Sequence, residues 1–142
     1  MWRELIARLD AEAVFHPPAT PENVRAMEAS LGVVLPAELR DLLLETNGAE
    51  VAYGTGLVWS AEKIAQRNLD MRREWRRGEW VGTMPIDYLL FFGELGNGDL
   101  CFFPITAEGV RNRVFCWDHE DDSRTSSAVS LADWLQRKGR MF

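Results

Sequence analysis

The chain has 142 residues, 46% of them hydrophobic and 27% charged, with six Trp, seven Phe and two Tyr and a formal net charge of -6. That size and composition fit one globular domain over residues 1–142, with enough large apolar side chains to close a core without disulfides or a structural metal. The acidity disfavours a general nucleic-acid binder, because phosphate contacts need a positive surface, and it would steer a basic partner toward the protein.

The opening residues, Met1 to Asp10, are charged throughout and lack the apolar stretch of a signal peptide, and no later run is long enough to span a bilayer. A cytoplasmic protein without membrane contact is expected. Trp2, Leu5, Ile6 and Leu9 share one helical face, which predicts a helix from Trp2 to about Ala13, ended by His16-Pro17-Pro18. Thr20-Pro21-Glu22 supplies an N-cap, a proline at the first helical position and an early acid. Val24, Met27 and Leu31 then repeat with helical spacing up to Gly32. Pro36 opens a third helix in which Leu39, Leu42 and Leu43 share a face, and Asn47-Gly48 is read as its stop.

Leu57-Val58-Trp59 is a short strand candidate, and Ser60 caps a fourth helix with Ile64, Met71 and Trp75 on one side, reaching about Gly78. The period then changes. Tyr88 to Phe92 and Leu100 to Phe103 are apolar at consecutive positions, and the connection between them holds Gly93, Gly96 and Asn97-Gly98, strong turn chemistry for a hairpin. Arg113 to Trp117 reads as a further strand, and Ser130 starts a last short helix that directs Leu131, Trp134 and Leu135 inward. The expected class is α+β: a mostly antiparallel twisted sheet packed with N-terminal helices and a short C-terminal helix. Continuous apolarity in the strands requires cover on both faces, by helices on two sides or by helices on one side and a partner on the other.

Few residue groups suggest chemistry. Cys101 and Cys116 sit in apolar runs, where a thiol behaves as a small buried hydrophobe. Cys116, Asp118, His119, Glu120, Asp121 and Asp122 include possible metal-ligand types, but there is no second Cys-His pair for zinc and no calcium-loop pattern. The glycines between 93 and 98 precede a strand, whereas a phosphate loop precedes a helix. The only histidines are His16, beside two prolines, and His119, and no Ser or Cys stands in a recognisable nucleophile elbow. No catalytic residue, metal or cofactor is therefore expected. Arg72, Arg73, Arg76 and Arg77 form two basic rows that could meet RNA but, given the overall acidity, read as a solvated helix face, and Trp80 beyond them is either a core plug or an exposed anchor.

Taken together, these landmarks resemble the SUKH superfamily, which includes fungal cell-wall assembly regulators and bacterial immunity proteins. Glu28 with Leu31-Gly32, then Leu35-Pro36-Ala37-Glu38-Leu39, Leu42-Leu43 and Asn47-Gly48, is similar to its Leu-Pro, helix, Asn-Gly signature. Phe92-Gly93 with Gly98-Asp99-Leu100 resembles its glycine-rich segment before a strand, Val114 to His119 its strand ending in Trp-Asp-His, and Ala128 to Leu135 its closing helix. Leu35, Pro36, Asn47, Gly48, Gly98, Asp99 and Trp117 are fold-defining on this reading. The resemblance implies a protein that binds and neutralises a cognate toxin, or alternatively a scaffold for several protein partners. Asp118, Glu120, Asp121 and Asp122 are the expected contacts to a basic toxin such as a nuclease, since clustered charge steers association. A metal-dependent hydrolase built on His119 is the reading from a different class.

Overall fold

The computed structural model describes residues 1–138; the last four residues of the expected domain lie outside the described residues. Helix α1 covers Trp2–Leu9 and stops short of Ala13. The Asp10 carboxylate accepts the Glu12 backbone N–H, a local turn that competes with helix continuation. The chain then enters a two-residue strand β1, Val14–Phe15. Helix α2, Pro21–Leu31, is capped by Thr20, whose hydroxyl accepts the Asn23 N–H, and it ends on Gly32 in the left-handed conformation. Helix α3 spans Ala37–Glu45 behind Pro36.

Its ending corrects the sequence expectation. Thr46, in extended conformation, ends α3. Asn47 instead caps the following helix α4, Ala61–Arg76, by accepting the Ala61 N–H at 2.9 Å. Gly48, at φ +91°, lies so close to the Val58–Ser60 backbone that a Cβ would come within 2.8 Å of the Ser60 nitrogen. The Asn-Gly pair thus serves a long-range junction, which resembles a helix stop when only neighbouring residues are visible.

Strands β2 (Ala49–Val51) and β3 (Thr55–Val58) pair antiparallel and, with β1, make a small sheet in the order β1-β2-β3. The main sheet contains β4 (Leu89–Glu94), β5 (Leu100–Thr106), β7 (Val114–Trp117) and β8 (Arg124–Ala128) in that order, with β6 (Gly109–Val110) paired to the end of β5. Every ladder among the described residues is antiparallel. Cys101 and Cys116 stand directly opposite each other between β5 and β7. The sheets meet where the Trp59 N–H donates to the Phe92 carbonyl at 2.8 Å, and the Glu94 carboxylate accepts both the Gly56 N–H and the Trp59 indole. Gly93 lies at this crossing, where a Cβ would overlap the Leu57 carbonyl oxygen.

Both faces of the main sheet are covered by the chain itself. On one side Phe92 stacks on Phe103 and meets Trp134 of α5, Leu131–Lys138, edge to face. On the other, Phe91, Phe102, Phe115 and Trp117 form an aromatic layer, and Trp80 stacks on Trp117 with centroids 5.4 Å apart. Trp80 is therefore a half-buried plug.

Helix α4 closes the free edge of β4. The buried Asn68 side chain donates to the Phe91 carbonyl at 2.8 Å and accepts the Phe91 N–H at 2.9 Å, reproducing what a neighbouring strand would supply. One turn later Arg72 is also buried, its Nη2 3.5 Å from the Leu89 carbonyl. This corrects the expectation of a solvated basic face: Arg73, Arg76 and Arg77 remain outside, paired with Asp70, Asp87 and Glu79, while Arg72 lies inside. Burial pushes the Arg72 pKa down, and nearby Asp87 opposes that effect.

Candidate functional site

The acidic turn joins β7 to β8 and is built by its own side chains. The Asp118 N–H donates to the Ser123 carbonyl, and the Asp122 N–H to the Asp118 carbonyl, both at 2.9 Å. Asp118 Oδ1 accepts the Glu120 N–H, and Asp121 Oδ1 accepts the Ser123 N–H. Short polar side chains that bond the backbone two residues on favour such turns over continued strand. The Ser123 hydroxyl and N–H also hold the Asp121 carboxyl below its usual range, so it is charged at neutral pH.

The four expected contact residues divide into two groups. Among the described residues, Asp118, Glu120 and Asp121 have no Lys or Arg ion-pair partner. Asp122 is turned inward, with its side chain 12% exposed and its backbone at φ +63°. Its carboxylate accepts the Trp117 indole N–H at 2.7 Å, the Met84 N–H at 2.9 Å and Arg124 Nη2 at 3.0 Å. Burial pushes the Asp122 pKa up, but the Met84, Trp117 and Arg124 donors together hold it below the ordinary carboxylate value.

Gly98 and Asp99 anchor this turn to the rest of the chain. Gly98, at φ +94°, leaves room for the His119 ring, which a Cβ would approach to 2.7 Å. Asp99 Oδ1 accepts the His119 N–H at 3.2 Å and pairs with Nδ1 at 2.8 Å, tying the β4–β5 loop to the acidic turn. The Asp99 hydrogen bond raises the His119 pKa, although the ring is exposed. Further away, the Leu35 N–H is accepted by Glu28, which also pairs with Arg40, so Leu35-Pro36 is fixed at the entrance to α3. Asp99, Asp118 and His119 place one donor atom each within 4.8 Å of one another. Three donors at an exposed turn, two of them already bonded to each other, fall short of the closed shell typical of structural zinc or calcium sites.

A separate cleft of about 480 Å³ is lined by His16, Asn47, Gly48, Glu50, Trp59 and Lys63, among others. His16 Nε2 pairs with Glu50 there, and the Lys63 ammonium and Arg67 guanidinium lie over the Trp59 ring. This cleft leaves no local signal in the sequence, because its walls come from the segments 16–18 and 47–48, from β2 and β3, and from the start of α4, which meet only in the folded chain.

The α+β scaffold thus carries an acidic turn and, apart from it, a cleft. The SMI1 / KNR4 family (SUKH-1) model matches residues 18–137, and the chain belongs to that family. No curated protein matches the chain.

Proposed function

We propose that this protein is an immunity protein that binds and neutralises a cognate basic toxin, such as a nuclease, in the cytoplasm. Its family includes toxin-immunity proteins. The observation that carries the reading is the set of carboxylates on Asp118, Glu120 and Asp121, which have no Lys or Arg partner among the described residues and are held on a hydrogen-bonded turn. A nuclease needs a positive surface for phosphate, and a preformed negative surface speeds encounter with it. His16 and His119 are each paired with a carboxylate, which orients the rings without requiring a reaction.

Co-expression with the product of the adjacent gene tests this reading. Rescue of growth and co-purification at fixed stoichiometry are expected; continued toxicity with no complex would refute it. The cleft gives a reason to retain a second reading, a scaffold with more than one partner, because its lining shares no residue with the acidic turn. Two proteins bound simultaneously would favour that scaffold.

A further inference from the structure

The segment between α4 and β4 is fastened along its length, yet it presents apolar side chains to solvent. The Trp75 indole donates to the Thr83 carbonyl at 2.9 Å, and Trp80 stacks on Trp117. Arg124 donates to the Met84 and Pro85 carbonyls, while Asp122 accepts the Met84 N–H. Between these fastenings Val81 is 92% and Met84 66% exposed. Side chains on a fastened loop lose little further backbone freedom when a partner covers them.

We propose that Val81 and Met84 form one docking surface with Asp118, Glu120 and Asp121, and that its occupant is a basic protein presenting an apolar recess rimmed by Lys or Arg. This rests on the immunity reading above. Asp122 is a positioning residue here: it joins the acidic turn to the apolar loop without itself meeting the partner. The nearby Arg76, Arg77 and Arg124 are paired with Asp87, Glu79 and Asp122, and His119, between the outer acids, is paired with Asp99, so the three outer acids outweigh the cations around them. An apolar centre with a charged rim is the usual anatomy of a protein interface. Phosphate-bearing ligands are repelled by such a surface, and a symmetric second copy would set these acids against their own counterparts.

The product of the adjacent gene is the probe, with association and dissociation rates measured at several salt concentrations. Val81→Ser with Met84→Ser is expected to weaken affinity about tenfold or more, mainly through faster dissociation. Asp118→Asn, Glu120→Gln and Asp121→Asn together keep side-chain acceptors for the turn and are expected to slow association and flatten its salt dependence. Asp122→Ala should weaken binding and shift the Met84 amide resonance, with little additional loss in the Val81→Ser, Met84→Ser background. Val34→Ser, at a 70% exposed site elsewhere, should bind as wild type. Thermal melts establish that each variant is folded. Wild-type affinity in folded Val81→Ser, Met84→Ser, or an equal loss in Val34→Ser, would overturn the composite surface while leaving the immunity reading intact. Failure of the wild-type protein to bind would overturn both.

Discussion

Replacing Asn68 with Leu tests how α4 and the sheet are held together, and hence how the loop beyond α4 is positioned. The change keeps the number and branching of the side-chain heavy atoms but removes both groups that serve Phe91, whose N–H and carbonyl lie 2.9 and 2.8 Å from the Asn68 amide. Each buried, unsatisfied backbone group costs about 1–3 kcal/mol, so the pair costs about 2–6 kcal/mol. The added apolar burial offsets about 1–2 kcal/mol. A net loss of about 0–5 kcal/mol, centred on about 2.5 kcal/mol, is expected, large against the roughly 5–15 kcal/mol of a typical domain. Urea unfolding measures the loss, and hydrogen exchange at the Phe91 amide localises it. A change below about 1 kcal/mol with Phe91 still protected would refute the idea that Asn68 substitutes for a neighbouring strand.

Arg72→Met should be neutral or stabilising by up to about 2 kcal/mol in denaturant titrations, because it removes a buried charge whose Nε lacks a partner. A loss exceeding that would mean that attraction to Asp87 outweighs desolvation. Gly93→Ala should lower stability by about 1–3 kcal/mol, measured by thermal melting, since the methyl group meets the Leu57 carbonyl. His119 should titrate above the ordinary histidine value by NMR, and Asp99→Asn should lower that midpoint. A folded-state pKa raised in this way contributes stability fully present below the unfolded pKa and lost as pH rises through the folded one. An unshifted His119 would break the proposed tie between the hairpin and the turn.

The elements legible in the sequence were those with local signals: Thr20-Pro21 before α2, Ser60 before α4, and the glycine-rich turn between β4 and β5. Strand β8, Arg-Thr-Ser-Ser-Ala, escaped because an exposed edge strand need not show an apolar alternation. Arg72 reads as outward in the sequence because its spacing with Arg76 suggests a solvated row. Its spacing from Ile64 and Asn68 placed it equally on the buried stripe, which was the available clue. At the candidate site the acidic run was visible, but the inward turn of Asp122 depends on Met84 and Arg124, and Met84 lies 38 positions away. No local pattern encodes that contact.

Hydrogen exchange on the complex with the adjacent gene's product tests the central claim most directly. Protection concentrated in residues 79–88 and 118–124 is predicted. Protection confined to residues 47–60 around the cleft, with those two segments unchanged, would contradict the account.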